Sequence, residues 1–203
     1  MKTLDICPQH IFQFTADESL RQEAETLVEK EGYESNARNY VTIEKNLAVK
    51  PGYNKLVTWF ESCVEQVRKT YEYQCEKLTI SQMWANKADN NNWHHMHNHP
   101  FSIISAIFYI TDSPAKTWFS VGDFWLSNYT SIPLRLADGS QKDPYIIHKQ
   151  PSVKGTLLLF PSHLMHSVDE HKGEKPRYTI SFNTFPAGVV GNINGLQSVI
   201  IPS

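Results

Sequence analysis

The sequence predicts a mainly β fold, a double-stranded β-helix of the jelly-roll or cupin type, preceded by two packing helices. After Leu78 the chain divides into about eight short segments that are rich in β-branched and aromatic residues. Pro, Gly, Asn or Asp separate these segments, and no long helical period intervenes. Such a succession of short strands is typical of an antiparallel barrel or jelly roll. The composition, 40% hydrophobic and 12% aromatic, indicates a globular chain.

Two amphipathic segments open the chain and predict the two helices. The first runs from about Asp17 to Glu31 and ends before Gly32, a residue that favours helix termination. The second runs from about Tyr53 to Tyr73 and carries one apolar stripe opposite its charged residues. We expect both helices to pack on the barrel. The long aromatic stripe of the second helix could also bury against another copy of the chain in a homodimer.

The remaining segments predict the strands and the domain organisation. We expect a single domain over residues 1–203, with a helical N-terminal part over about 1–77 and a jelly-roll core over about 78–203. The segment Asp123–Asp143 contains Pro133 and Gly139 and predicts a loop that covers a cleft. The predicted strands are Leu78–Asn86, His94–His99, Ser102–Thr111, Lys116–Val121, Tyr145–Lys149, Gly155–Phe160, His166–Val168 and Arg177–Phe185.

Charge and cysteine content exclude several classes of protein. The formal net charge is −2 and no basic run is present, which argues against bulk nucleic-acid binding. The longest apolar stretches are too short to span a membrane, and the first residues lack the apolar core of a signal peptide. Three cysteines without Cys-x-x-Cys spacing fit a reducing compartment, so we expect a cytoplasmic protein.

The densest chemical signal is a cluster of histidines between Trp93 and Pro100. His97 and His99 are two residues apart, so both can face one ion from an extended strand, while His166 follows far downstream. Strict alternation places His95 on the same face and His94 on the other face. His95 is therefore an alternative second ligand or a contact to the substrate or to the ligands.

Three such ligands leave one side of an ion open, as an oxygen-activating iron centre requires. The usual arrangement has two histidines and one carboxylate, but no Asp or Glu lies between His94 and Asp112. Three nitrogens also suit a tetrahedral zinc site, which remains an alternative.

A candidate anion anchor begins the last predicted strand. Arg177, Thr179, Ser181 and Asn183 alternate with apolar residues and therefore share one face of that strand. The planar guanidinium of arginine matches a carboxylate with two parallel hydrogen bonds, and a neighbouring hydroxyl can add a third. This pattern predicts a site for the distant carboxylate of a dicarboxylic co-substrate.

Together these motifs resemble a family of 2-oxoglutarate/Fe(II)-dependent oxygenases common in marine cyanophages and bacteria. The resemblance covers roughly Leu78 to Phe185, and Ala106 departs from it where glycine is expected. The residues that carry it are Trp84-Ala85-Asn86, His95-Met96-His97-Asn98-His99-Pro100-Phe101-Ser102-Ile103-Ile104-Ser105, Phe108-Tyr109-Ile110, Leu159-Phe160-Pro161-Ser162-His163-Leu164-Met165-His166-Ser167-Val168 and Arg177-Tyr178-Thr179-Ile180-Ser181-Phe182-Asn183-Thr184-Phe185.

The resemblance implies a jelly roll with Fe(II) at one end and 2-oxoglutarate as co-substrate. It places iron on His97, His99 and His166, and the C5 carboxylate of 2-oxoglutarate on Arg177 and Thr179. Further expected contacts are Ser105 and Asn86 to the co-substrate, and His95, Tyr109 and Asn183 to the substrate or to the ligands. The implied reaction is hydroxylation of an unidentified small molecule or peptide, in a bacterial cytoplasm that a phage can infect.

Two other functions are consistent with the same residues. A three-histidine dioxygenase of the cupin type would oxidise its substrate without 2-oxoglutarate, and Arg177 would then hold a carboxylate of the substrate. A non-enzymatic module would hold zinc for stability or act as a scaffold.

Overall fold

A computed structural model describes residues 9–120, 146–192, 194 and 197–202, and it confirms the predicted jelly roll with two packing helices. Within these described residues, twelve strands form two antiparallel sheets. Several of the strands extend beyond the ends predicted for them. The helices are α1 (Glu18–Glu29) and α2 (Asn54–Thr70). The strands are β1 (Phe12–Thr15), β2 (Tyr33–Asn36), β3 (Asn39–Thr42), β4 (Lys77–Ala88), β5 (His94–His97), β6 (Ile104–Tyr109), β7 (Ser113–Ser120), β8 (Ile146–Ser152), β9 (Thr156–Pro161), β10 (Met165–Val168), β11 (Arg177–Asn192) and β12 (Gln197–Ile201).

The major sheet has the order β1-β9-β6-β11-β4-β3-β2, and β12 pairs with β11. The minor sheet has the order β5-β10-β7-β8. The Tyr109 hydroxyl on β6 donates to Thr117 Oγ1 on β7 over 2.7 Å, so the two sheets meet face to face at this level. This opposition matters for the site, because the histidine strands belong to one sheet and the arginine strand to the other.

The predicted helical N-terminal part, the first 77 residues, contributes strands as well as helices. Strand β1 pairs with β9, and the hairpin of β2 and β3 extends the major sheet beyond β4. Each of these strands has only four residues. Segments this short show too little alternation to be recognised by pattern, because only pairing with a longer strand makes them extended.

The two helices pack on the major sheet through the apolar stripes that the sequence predicts. Asp17 caps α1 by accepting a hydrogen bond from the Leu20 backbone N–H over 2.8 Å. On α2, Phe60 packs against Phe108 of β6 and Phe182 of β11, with ring centroids 5.4 and 4.9 Å apart. The stripe of α2 is therefore buried within the chain itself, which leaves the predicted homodimer without support from this helix.

Loss of the Phe60 ring tests this packing directly. Because Phe60 is fully buried among aromatic side chains, Phe60→Ala should lower the free energy of unfolding by about 3–5 kcal/mol. The matched control is Phe101→Ala, since Phe101 is 89% exposed and its removal should change stability by less than about 0.5 kcal/mol. Urea unfolding followed by tryptophan fluorescence measures both values. Equal losses in the two variants would contradict the described core.

No helix among the described residues combines the length and apolar composition that a membrane-spanning helix needs. The predicted covering loop Asp123–Asp143 lies outside the described residues.

Candidate active site

Three histidines converge at one end of the minor sheet. His97 on β5 lies directly opposite His166 on β10, and their ring centroids are 4.2 Å apart. His99 follows β5, and its backbone N–H donates to the Ser162 carbonyl over 3.0 Å, which holds this segment against the turn before β10. The Nε2 atoms of His99 and His166 are 3.2 Å apart. One nitrogen from each of the three rings lies within 4.8 Å of the others.

Backbone hydrogen bonds orient two of these rings for metal binding. The Nδ1–H of His97 donates to the His95 carbonyl over 2.8 Å, and that of His166 donates to the Leu164 carbonyl over 3.0 Å. Each bond places the proton on Nδ1 and leaves the Nε2 lone pair available, as a histidine ligand requires.

Burial keeps the cluster uncharged. It lowers the pKa of His99 to about 4, with a further contribution from His97, and it holds the pKa of His97 and His166 below the usual value. All three rings are therefore neutral near pH 7, which is the protonation state that binds a metal ion.

A β-bulge in β5 corrects the predicted alternation of the histidines. His97 pairs with His166 and His94 pairs with Val168, so three steps on β5 match two steps on β10. The extra residue rotates the strand, and His94 consequently faces the same side as His97. Their rings stack with centroids 4.4 Å apart and an angle of 16°. His95, predicted to share the ligand face, is exposed instead.

The guanidinium of Arg177 lies on the opposite wall of the pocket, on β11. Arg177 is only 5% exposed, and no described carboxylate forms an ion pair with it. Its Nε donates to Ser152 Oγ over 3.3 Å, its Cζ lies 5.6 Å from the centre of the Tyr109 ring, and its Nη2 has no partner among the described residues. Burial lowers the pKa of this guanidinium, because it disfavours the charged form.

Polar side chains of β4 and β11 continue this wall. Asn86 Nδ2 donates to Ser181 Oγ over 3.1 Å and to Thr179 Oγ1 over 3.5 Å, while Asn86 Oδ1 is buried without a described partner. As predicted, Arg177, Thr179 and Ser181 share one face of β11, and Ile180 and Phe182 on the other face join the core.

These groups line one open pocket, whose wall combines polar and apolar side chains. A few polar groups set in an apolar wall are typical of a small-ligand site. Ile107, Val168 and Trp84 supply apolar surface between the two polar ends, and Trp93 lies at the wall with 40% of its surface exposed. The predicted site residues that line it are His97, His99, His166, Arg177, Thr179 and Asn86.

Four predicted site residues do not line this pocket: Ser105, Asn183, Tyr109 and His95. Ser105 is buried elsewhere, where its hydroxyl lies 2.8 Å from both Ser162 Oγ and Asn183 Oδ1. The Tyr109 ring contacts the guanidinium of Arg177, and the Tyr109 hydroxyl donates its hydrogen bond to Thr117. His95 is exposed and does not line the pocket, but its ring lies beside that of His97, with centroids 5.4 Å apart, so its predicted contact to the ligands stays a prediction.

The sequence interpretation missed several lining residues, above all His94 and His171. Regular alternation predicts His94 on the opposite face, because the bulge arises from pairing with β10 and leaves no pattern in β5 alone. The position of His94 within the histidine cluster was the available signal for a site residue. His171 is 3% exposed and bonded through both ring nitrogens, to Ser113 Oγ at 2.9 Å and to the Lys175 carbonyl at 2.8 Å. It therefore tethers the loop beside the pocket.

The donor set of this site fits a divalent metal and an anion side by side. Two nitrogens bound at right angles, each about 2.1 Å from an ion, would be about 3 Å apart, close to the 3.2 Å between His99 and His166. No carboxylate joins the cluster within residues 9–120 and 146–192. The guanidinium of Arg177, which has no carboxylate partner among the described residues, supplies positive charge for an anion at the other end.

Comparison with known proteins places this site in a family. The family model described as "Putative 2OG-Fe(II) oxygenase" (2OG is 2-oxoglutarate) matches residues 82–183, half of the chain. The chain belongs to the 2OG-Fe(II) oxygenase family. It is accordingly an oxidoreductase whose cofactors are Fe(II) and 2-oxoglutarate. No curated protein sequence matches the chain.

Solved structures of low sequence identity share the fold. HygX from Streptomyces hygroscopicus, with nickel, 2-oxoglutarate and hygromycin B bound, is 13% identical, with a TM-score of 0.64 over 88% of this chain and 83% of that one. A Pseudomonas putida prolyl-4-hydroxylase is 13% identical, with a TM-score of 0.58 over 88% and 93%. A prolyl hydroxylase from Trichoplax adhaerens, in complex with a hypoxia inducible factor peptide fragment, is 13% identical, with a TM-score of 0.58 over 87% and 83%.

Proposed function

We propose that His97, His99 and His166 hold the Fe(II) ion of this oxygenase. The convergence of their nitrogens and the Nδ1–H bonds of His97 and His166 support this assignment. When bound, the ion supplies the activation of dioxygen that drives decarboxylation of 2-oxoglutarate and oxidation of the substrate. Three neutral ligands do not offset its charge, which favours an anionic co-substrate in the adjacent space.

We propose that Arg177 binds the C5 carboxylate of 2-oxoglutarate, with Thr179 and Asn86 beside it. The observation that carries this proposal is a buried guanidinium without an anion partner among the described residues, facing the same pocket as the three histidines. A buried charge is costly unless it is paired, so the pocket is most stable with a carboxylate at this end. Ser152, which bonds Arg177 Nε, orients the guanidinium.

The substrate class we propose is a small molecule or a peptide, and the reaction is its hydroxylation. The likeness to HygX with hygromycin B bound and to a prolyl hydroxylase with a peptide bound supports this breadth. Ile107, Val168 and Trp84 give the co-substrate space an apolar lining that excludes water around the reacting groups. A single domain over residues 1–203 is part of the proposal, supported by core contacts between both helices and the major sheet.

Anaerobic titration of the protein with Fe(II) and 2-oxoglutarate tests the proposed function. We expect the weak visible charge-transfer band of the chelate, followed by succinate formation when dioxygen is admitted. Oxygen consumption without succinate would instead favour the cupin-type dioxygenase. Tightly held zinc together with a melting temperature that 2-oxoglutarate does not raise would favour the non-enzymatic module.

A further inference from the structure

Two histidines of the pocket wall, His94 and His171, have no role in the proposed function. Both ring nitrogens of His171 are already hydrogen-bonded to Ser113 and Lys175, which leaves His94. It lines the pocket together with the three proposed ligands and Arg177. Its ring is stacked on His97 but belongs to the level of Val168, its pairing partner, rather than to the level of His166. The bulge of β5 therefore places a further nitrogen-bearing ring inside the pocket.

The pairing of the two sheets locates His94 between the metal end and the anion end. Val168 pairs with Thr117, and Thr117 Oγ1 accepts a hydrogen bond from the Tyr109 hydroxyl of the major sheet. Tyr109 in turn pairs with Thr179 on β11. His94 thus lies at the level of the residues that surround Arg177, two strand positions away from His166. A molecule in this pocket is therefore within reach of His94 as well as of the three proposed ligands and Arg177.

The hydrogen bonds of His94, His97 and His166 divide these three rings into two kinds. Asn39, a buried residue at the start of β3, donates from Nδ2 to Nδ1 of His94 over 3.2 Å. The proton of the neutral His94 ring is therefore on Nε2, and this nitrogen is a donor. In His97 and His166 the proton is on Nδ1, and Nε2 is a lone-pair ligand. His94 is accordingly built to donate a hydrogen bond rather than to bind metal.

A second metal site at His94, His95 and His97 is the competing interpretation, because their nitrogens also lie within 4.8 Å of one another. A metal ion in that cluster would need Nε2 of His97. His97 offers the same nitrogen to the cluster that it forms with His99 and His166. The ion would also need the lone pair of His94 that Asn39 already occupies. The two observations together favour the donor role.

We propose that His94 Nε2–H donates a hydrogen bond to a carboxylate oxygen of bound 2-oxoglutarate, as a second contact opposite Arg177. This inference rests on the proposed function, because it requires 2-oxoglutarate to lie between the three histidines and Arg177. The carboxylate and keto oxygens are the only acceptors of this co-substrate, and its two methylene groups can contact Ile107 and Val168 of the same wall. Asn39 positions His94 by holding the required tautomer.

Two substitutions of His94 separate donation from ring stacking. His94→Gln keeps an N–H donor near the position of Nε2 but removes the ring, whereas His94→Phe keeps the ring against His97 but removes the donor. Titration calorimetry of 2-oxoglutarate into the Ni(II)-loaded protein measures binding without turnover. We expect His94→Phe to weaken 2-oxoglutarate binding by about 10- to 100-fold, and His94→Gln to bind within a few-fold of the wild type.

The controls make each outcome decisive. His95→Phe, the same substitution at the exposed neighbouring residue, should bind 2-oxoglutarate as the wild type does, and Ni(II) affinity should be the same in all variants. Wild-type binding of 2-oxoglutarate by His94→Phe, or a loss in His94→Gln alone, would overturn the donor role and leave the proposed function intact. A wild-type protein that binds Ni(II) but not 2-oxoglutarate would overturn both.

Discussion

Replacing Arg177 with methionine is expected to raise the melting temperature of the ligand-free protein while removing most of its affinity for 2-oxoglutarate. Methionine fills a similar volume without a charge, and Arg177 is buried with no described carboxylate partner. Removing a buried unpaired charge should stabilise the fold by about 1 kcal/mol or more, which corresponds to about 2–4 °C for a chain of this size.

The loss of binding should be large because the guanidinium is desolvated before the anion arrives. Truncation of one partner in a buried charge pair costs about 2–5 kcal/mol, a factor of roughly 30 to several thousand in Kd. Arg177→Lys is the matched control: it keeps the charge but loses the planar fork, so its affinity should be intermediate. Thermal shift of Ni(II)-loaded protein with and without 2-oxoglutarate measures both effects.

The opposite results would be equally informative. An undiminished 2-oxoglutarate shift in Arg177→Met would remove Arg177 from the co-substrate site. A lower melting temperature of the ligand-free variant would mean that the bond to Ser152 and the contact with Tyr109 already compensate the buried charge.

Removal of His166 is expected to have the largest effect on the metal. His166 is 3% exposed, faces His97 across the β5–β10 pair and lies 3.2 Å from His99 between Nε2 atoms. Loss of a group that only supports a ligand lowers metal affinity by about 10- to 100-fold, so loss of a ligand should cost more than about 100-fold. Ni(II) or Fe(II) titration of His166→Ala, read by the metal retained after gel filtration, measures this loss.

His163→Ala is the control because His163 lies three residues earlier, on the turn before β10, is exposed and bonds Gln9 instead of the cluster. It should bind metal as the wild type does. His95→Ala should do so as well, because it removes an exposed ring and keeps the backbone carbonyl that accepts the hydrogen bond of His97 Nδ1–H. Metal loss in His95→Ala with retention in His97→Ala would move the second ligand to His95.

The sequence predicts the elements that have long, regular patterns. The apolar stripes of α1 and α2 and the alternation of Arg177, Thr179 and Ser181 are local properties, so they can be recognised without knowledge of the partners. The segments too short for a pattern, β1 to β3, become strands only by pairing with β9 and β4.

For the site, the sequence by itself determined the candidate ligand residues, their spacing and the face of β11 that carries the arginine. Tertiary structure alone decided that His94 rather than His95 enters the pocket, because the bulge in β5 arises from its register with β10. It also decided that Arg177 lacks a described carboxylate partner and that Asn39, 55 residues away, sets the tautomer of His94. These features depend on contacts between residues far apart in the chain, which no local pattern encodes.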